Sequence, residues 1–276
     1  MEDYPKKILK VLIYIEDHIH EEMTLEELAR VACYSSFHFQ RIFRFIVGES
    51  VHKYIRRLRI EKSKAKLIHT DENITDIAFD AGFETPSAFT KAFKQCVGKG
   101  PRNYRNLYKE INMAAKKIED LAMIQPDEIK NVPEVPVLFI RRIGPYETTG
   151  KEAWDAMMAF IKENNLDLTK LRYFSMGLDD PKIVDEEKLR FDVCIQIQED
   201  QNVSLKGEAA SKVLTGGKYA IFICQSPLDT MEDAINDAFD RIFLKWLPDS
   251  KENYDENRIC YMEHWGETTK IYVPLV

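Results

Sequence analysis

One helix-sized hydrophobic stripe is written twice in this chain. Leu25, Leu28, Ala29 and Ala32 are matched by Ile74, Ile77, Ala78 and Ala81 at an offset of 49. Each set has i, i+3, i+4, i+7 spacing, which places four apolar side chains on one face of a short helix. Thr24 with Glu27 forms a capping box at the first start, and Asn73 with Asp76 imitates it at the second. Both stripes stop at a small residue followed by an aromatic, Cys33-Tyr34 and Gly82-Phe83, as a tight turn requires. A second stripe follows each turn: Phe39, Ile42, Phe43, Ile46 and Val47 return as Phe89, Ala92, Phe93, Cys96 and Val97. Ser35 and Thr85 stand at the N-cap positions, and Pro86 fits the first helical position. Helix, tight turn, helix, twice over, describes two helix-turn-helix units.

The polar faces of the second helices carry the chemistry. In the first these positions are Ser36, Phe37, Gln40 and Arg41, with Arg44 a turn later; in the second they are Ser87, Thr90 and Lys91, with Lys94 a turn later. Gln pairs bidentately with adenine, Arg with guanine, and an exposed Phe packs on a thymine methyl. One such helix reads equally well as a solvated surface. Two copies joined by a basic segment favour a nucleic-acid reader: residues 53–66 hold seven basic residues and one acid. Val51 to His69 reads as a helix with Val51, Tyr54, Ile55 and Leu58 on one side. Its length of ~28 Å, at ~1.5 Å per residue, approaches the roughly 34 Å of one DNA turn. Both reading helices would then enter successive major grooves. Arg44, Lys53, Arg56, Arg57, Arg59, Lys94 and Arg105 are expected on phosphates, where they fix register and give salt dependence.

Charge divides the chain. Residues 1–108 carry a balance of +3 and the remainder −10, so the overall −7 describes neither part. The 276 residues suit two domains. "LYKEINMAAKKIEDLAM" and the proline-bearing "QPDEIKNVPEVP" read as a connector. Domains are therefore expected at 1–108 and 131–276, with a linker over 109–130. Beyond it the apolar period falls to 2, in runs at 137–143, 191–197, 219–224, 258–265 and 270–275. Two amphipathic helices lie among them, one striped by Trp154, Met157, Met158 and Ile161, the other by Ile235, Ala238, Phe239, Ile242, Phe243 and Trp246. The order strand, helix, strand, strand, read twice, predicts an α+β domain with a pseudo-twofold β-α-β-β repeat. An antiparallel sheet would lie on one side and helices on the other.

In "RICYMEHW", alternation sets Ile259, Tyr261, Glu263 and Trp265 on one face, and Cys260, Met262 and His264 on the other. Glu263 is then a carboxylate among aromatics. It reads either as a strand-end glutamate reaching water or as a buried counter-charge for a cationic or hydrogen-bond-donating ligand.

Two resemblances rest on these motifs. Residues 6–106, through "TLEELARVACYSSFHFQRIFR", "YIRRLRIEKSKAKL", "ITDIAFDAGFETPSAFTKAFK" and "GKGPRNYR", closely resemble the two-unit DNA-binding domain of AraC/XylS regulators, in the MarA, SoxS and Rob branch. The resemblance implies an exposed aromatic, a Gln and an Arg in the first reading helix, where Phe37, Gln40 and Arg41 stand. Pro86 has no polar side chain, so the second half-site is expected to be read less strictly. Residues 130–276 look like the GyrI-like effector-binding domain of Rob and BmrR type. The motifs are "RIGPYE", "MGLDDP", "GGKYAIF", "WLPDS", "CYMEHW" and "IYVPL". That resemblance implies that Glu263 faces lipophilic cations in an aromatic pocket, with Tyr146 matching a tyrosine of the first repeat. Trp154, Tyr261 and Trp265 are further candidates for its lining.

The expected function is a ligand-responsive transcription regulator that binds double-stranded DNA, a small-molecule effector and RNA polymerase, as a monomer or homodimer. A hydrolase using Glu263 and Tyr146, or a protein-binding module, are the alternatives for the second domain. No cofactor is expected. The six histidines lack metal-ligand spacing, and the five dispersed cysteines suit reduced thiols in a cytoplasm. No run of apolar residues is long enough for a membrane span, and the N-terminus reads as an amphipathic helix rather than a signal peptide. "GLDDP" is read as an Asx-type turn.

Overall fold

The computed structural model describes residues 4–117, 124–179, 181, 184–196, 207–228, 230–255 and 257–276. Residues 118–123 of the expected linker, Asp180 of "GLDDP" and Ile197 lie outside them. The chain divides into two compact units, Met1–Glu110 and Ile111–Val276.

The first unit is helical. Helix α1 (Tyr4–Asp17) buries Ile8, Val11, Leu12 and Ile15. Helices α2 (Leu25–Val31) and α3 (Ser36–Val47) form the first helix-turn-helix, and α4 (Val51–His69) follows. Helices α5 (Ile74–Asp80) and α6 (Pro86–Val97) form the second, and α7 (Pro101–Lys117) runs on into the segment expected as linker. The anticipated caps are present. Thr24 and Glu27 close a reciprocal box, Asn73 accepts from the Asp76 amide, and Ser35 and Thr85 accept from His38 and Ala88. Each second helix ends on a left-handed glycine, Gly48 or Gly98.

The two turns are the same turn. The Tyr34 amide donates to the Ala29 carbonyl at 2.9 Å and the Phe83 amide to Ala78 at 3.1 Å. Both require one residue at positive φ, supplied by Cys33 at 56° and Gly82 at 71°. Phe39, Phe43, Phe89 and Phe93 are fully buried, so the paired stripes supply the core of both motifs.

Arg59, in the middle of α4, ties the two motifs together. Its Nε donates to the Ile19 carbonyl at 3.0 Å, Nη2 to Glu21 at 2.7 Å and Nη1 to Gly82 at 3.2 Å. Burial lowers its pKa from the usual arginine value. This corrects the expectation of a phosphate contact, because three carbonyls hold the guanidinium fork inside the unit. Arg57 is likewise drawn inward, its Nε and Nη2 on Glu49 at 3.0 and 2.9 Å. The Nε of half-buried Arg105 donates to the Leu67 carbonyl at 3.1 Å.

Among the described residues the second unit holds an eight-stranded antiparallel sheet in the order β1-β6-β8-β7-β3-β4-β2-β5. Its strands are β1 (Glu128–Val132), β2 (Val135–Ile143), β3 (Arg172–Gly177), β4 (Arg190–Gln196), β5 (Ala210–Leu214), β6 (Gly217–Gln225), β7 (Tyr261–Trp265) and β8 (Thr268–Pro274). Strands β1, β3 and β5 are not among the five alternating runs. The run begun at Arg258 becomes a strand only at Tyr261. Helix α8 (Tyr146–Glu163) packs Ala153, Met157, Phe160 and Ile161 on Leu138, Ile140, Val193 and Ile195. Met158, expected in that stripe, is exposed. Helix α9 (Met231–Arg241), continued by a wider π turn over Ile242–Trp246, sets Ala238, Ile242 and Trp246 on Ala220, Phe222, Ile271 and Val273. Both helices bear on the same face of the sheet, because register runs from Ile140 through Val193, Ser175, Met262 and Ile271 to Phe222.

The shared turn sets a stability test. A Cβ on Gly82 would meet the Arg59 guanidinium at 2.8 Å while holding φ near 71°. Gly82→Ala is expected to destabilise the first unit by more than the ~1–2 kcal/mol of a left-handed non-glycine residue. Cys33→Gly removes that same strain at the matching position and is expected to raise the melting temperature. Thermal unfolding followed by circular dichroism reads both signs.

Candidate functional site

Two surfaces carry chemistry, one in each unit. On α3, Phe37 is 73% exposed, Gln40 and Arg41 are exposed beside it, and the Arg41 guanidinium lies 5.9 Å from the Phe37 ring centre. Ser36 is half-buried in the first turn. On α6, Ser87, Thr90 and Lys91 are exposed, as are Arg44 and Lys94 one turn on. Packing of the aromatic stripes fixes this, since burying Phe39 and Phe43, or Phe89 and Phe93, turns the polar positions outward. Lys53 is exposed at the start of α4, and Arg56 is exposed with a nitrogen on the Gln95 side chain. Together these residues form an exposed, polar and basic surface along α3, α6 and the start of α4. Arg57, Arg59 and Arg105 belong to the interior bracing described above.

In the second unit the chemistry lies on the sheet face opposite α8 and α9. Glu263 in β7 is paired across the sheet with Phe174 in β3 and Lys270 in β8, and Tyr261 with Tyr272. The β7–β8 hairpin sets this register. Its loop is Gly266 and Glu267, with Gly266 at φ 55°, which brings residues at equal distances from the turn opposite one another.

Glu263 is 1% exposed. One carboxylate oxygen accepts from the Tyr272 hydroxyl at 2.7 Å and the other from Arg172 Nε at 2.6 Å. Aromatic rings enclose it. Tyr261 and Tyr272 stack at 4.5 Å, Tyr219 meets Tyr261 edge-on at 5.5 Å, and Phe174 meets Tyr261 at 6.0 Å. Burial pushes the Tyr261 and Tyr272 hydroxyls well above the usual tyrosine range, and for Tyr272 the bond to Glu263 adds to the effect. Both phenols therefore remain hydrogen-bond donors across the ordinary pH range. Further along the same face, burial alone would raise the Asp192 carboxyl. Arg141 at 2.7 Å and Lys212 at 2.5 Å outweigh that burial and hold it well below the usual carboxylate range.

The structure brings together two of the five expected ligand residues. Tyr261 stands beside Glu263. Trp265 is on the same face but at the strand end, 44% exposed, with the Lys270 ammonium 4.5 Å from its ring centre. Trp154 is on the wrong side of the sheet. It rises from α8 and packs on Tyr173 and, edge-on at 5.4 Å, on His264, which alternation turns away from Glu263. Tyr146 is a pin at the start of α8. Its hydroxyl donates to the Asp179 and Arg190 carbonyls and accepts from the Asp179 amide at 3.0 Å. The Glu263–Tyr146 pair needed for hydrolysis is thus not assembled. Asp179 takes no Asx-type role in the described contacts, since its carboxylate pairs with buried Arg190 at 2.7 Å. Among the described residues no group of three His, Cys, Asp or Glu is placed to hold a metal ion, and no helix is long and apolar enough to cross a membrane.

A family model described as a GyrI-like small molecule binding domain matches residues 126–276, more than half of the chain. The chain belongs to the GyrI-like family. A second model, described as a helix-turn-helix domain, matches residues 28–107 ahead of the GyrI-like domain. The two resemblances read from the sequence are thereby met at the level of a helix-turn-helix domain followed by a GyrI-like domain.

Among curated proteins, the HTH-type transcriptional regulator YbfP of Bacillus subtilis is 42% identical over 106 residues, which are 38% of this chain and 36% of that protein. An HTH-type transcriptional regulator of Staphylococcus aureus (strain COL) is 37% identical over 99 residues, 36% of this chain and 13% of its own length. The chain thus spans about a third or less of these relatives. Among solved structures, the DNA-binding domain of AdpA, in complex with a target DNA, is 26% identical at a TM-score of 0.37, covering 38% of this chain and 96% of that one. An AraC-type regulator from Chromobacterium violaceum is 22% identical at 0.36, covering 37% and 91%.

Sequence reasoning missed four groups around Glu263: Arg172, Phe174, Tyr219 and Tyr272. Tyr272 was within reach, because the two-residue "GE" loop fixes it opposite Tyr261. Arg172 and Phe174 were not, because β3 meets β7 across some ninety residues of chain.

His264, on the helix side of β7, gives the domain a pH signature. Its Nε2 bonds Ser175 Oγ at 2.8 Å and Nδ1 bonds Thr269 Oγ1 at 3.1 Å. Burial lowers its pKa to about 4, against a smaller opposing pull from Glu263. The unfolded chain, titrating near 6.5, takes up the proton first. Stability from the neutral ring is therefore full above pH 6.5 and lost as pH falls toward 4, by about 3 kcal/mol in all. Asp192, whose folded carboxyl is held below its ordinary value of 3.8, loses its contribution only as pH falls through that value and lower, beneath this window. Urea unfolding at pH 7 and pH 4.5 is expected to show that loss, and His264→Gln to reduce it.

Proposed function

We propose that this chain is a ligand-responsive DNA-binding transcription regulator. The observation that carries the reading is the presence, in one chain, of two capped helix-turn-helix motifs with exposed polar faces and a GyrI-like domain holding a buried carboxylate among tyrosines. Double-stranded DNA is the partner of the first unit and a small molecule that of the second. The names of the relatives, all HTH-type transcriptional regulators, support the same reading.

On the DNA, α3 and α6 enter successive major grooves. Phe37, Gln40 and Arg41 read bases in one, and Ser87, Thr90 and Lys91 in the next, with Ser36 at the entrance of the first. Arg44, Lys53, Arg56 and Lys94 contact phosphates. Two readers in one chain permit binding as a monomer. RNA polymerase is the partner through which bound protein changes transcription.

In the GyrI-like domain Glu263 is the counter-charge for a lipophilic cation, with Tyr219, Tyr261, Tyr272 and Phe174 as its aromatic walls. Each ring placed against a cation contributes about 0.5–2 kcal/mol. The ligand acts by favouring one of two states that differ in DNA binding or polymerase contact.

Selection of a binding site from random duplexes, followed by anisotropy titrations of the full chain, tests the reader. Arg41→Ala is expected to reduce preference for the selected site over scrambled DNA by roughly 1–3 kcal/mol. Lys53→Ala is expected to weaken both duplexes alike and lower the salt slope by about one. The opposite pattern would overturn this division of base and phosphate contacts.

A further inference from the structure

Glu263 already holds a cation, and that cation belongs to the protein. Arg172 Nε donates to its carboxylate at 2.6 Å, Nη1 donates to Gln196 at 2.9 Å, and the guanidinium carbon lies 5.1 Å from the centre of the Phe174 ring. This is the arrangement expected of a bound cationic ligand: a charge-assisted hydrogen bond to the carboxylate and an aromatic surface beneath the charge. Arg172 also differs from the other groups around Glu263. Tyr219, Tyr261, Tyr272 and Phe174 are buried, whereas the Arg172 side chain is 44% exposed. Among the described contacts of Glu263, Arg172 is therefore the one with a route to water.

We propose that Arg172 is a specificity-determining residue that occupies the ligand's place, and that ligands reach Glu263 by exchange with it. The inference rests on the reading of Glu263 as the ligand site. A buried carboxylate left without a partner is costly, so the empty site needs an internal counter-ion. An incoming cation must replace what Arg172 supplies, which is a hydrogen bond as well as a charge. The class selected is accordingly a flat cation bearing N–H donors, an aryl amidinium or guanidinium. Such a cation donates to the oxygen released by Arg172 and lies against Phe174 and the stacked Tyr261–Tyr272 pair. A quaternary ammonium matches the charge but leaves that oxygen without a donor, at the cost of an unmade buried hydrogen bond. The displaced guanidinium is hydrated on leaving, so the exchange moves no net charge into the sheet.

Calorimetric titration of the full chain with benzamidinium and with phenyltrimethylammonium tests this. Wild type is expected to bind benzamidinium the more tightly. Arg172→Gln keeps a donor beside Glu263 without competing as a cation, and is expected to bind benzamidinium at least tenfold more tightly than wild type. Arg172→Lys retains the charge without the planar fork, and its affinity is expected to fall between the two. It also serves as the readout should Arg172→Gln fail to give a native far-ultraviolet spectrum. Unchanged or weaker binding by the Arg172 variants overturns the exchange, as does failure of all three proteins to bind. An equal gain for phenyltrimethylammonium overturns the donor requirement. Glu263→Gln separates the two levels of the argument. If it alone abolishes binding while the Arg172 variants change nothing, the site stands and the exchange falls. If it binds benzamidinium as wild type does, the site itself is wrong.

Discussion

A carboxylate taken out of water must be given partners, and the helix-free face of the sheet is organised by that need. Glu263 sits in mid-strand, where pleat and register leave it facing Phe174, Tyr261 and Tyr272 rather than solvent. Tyr272 satisfies one oxygen from within the sheet and Arg172 satisfies the other from its margin. The opposite face is mostly aliphatic strands under two amphipathic helices, with the neutral His264–Ser175–Thr269 group as its polar exception. The fold thus separates its tasks by side: α8 and α9 supply cohesion, and the face they leave open carries the buried charge. Asp192, clamped between Arg141 and Lys212, shows the same rule further along that face.

The helical unit solves a different problem, holding two short motifs in a fixed relation. Isolated seven-residue helices such as α2 and α5 are not stable in water, so each depends on its neighbour's aromatic stripe. Arg59 adds a polar tie at the centre of α4, reaching Ile19 and Glu21 near the first motif and Gly82 in the turn of the second. Gly82 and Arg59 are coupled by lack of space, since the guanidinium lies where a Cβ would be. Such a tie keeps the spacing of α3 and α6 constant, as the proposed reading of two grooves from one chain demands.

Local features were legible in the sequence wherever a feature depended on neighbours within about one turn. The capping box at Thr24 and Glu27, the caps at Ser35, Asn73 and Thr85, and the extent of α4 all follow from short-range chemistry. The alternation around Glu263 placed it correctly beside Tyr261. Trp154 failed for a physical reason: its stripe marks a buried helix face, but not which side of the sheet the helix covers. Tyr146 failed because its hydroxyl is held by the backbone of residues 179 and 190, far along the chain. Arg57 and Arg59 failed because a basic run on a helix has an inner and an outer face, and charge alone does not say which. Arg172 was missed because its strand carries arginine, tyrosine and serine among its apolar residues, and its partner comes from distant sequence.

The proposed regulator must couple its two sites, and that coupling is a free energy measurable in either direction. Selectivity at Glu263 matters to DNA only if the loaded and empty domains belong to states of different DNA affinity. The most direct test is the affinity of the full chain for its selected duplex, measured with and without saturating benzamidinium, for wild type and Glu263→Gln. A ligand-dependent change of about fivefold or more, absent in Glu263→Gln, is the predicted result. Identical DNA isotherms for wild type with the ligand demonstrably bound would contradict the account.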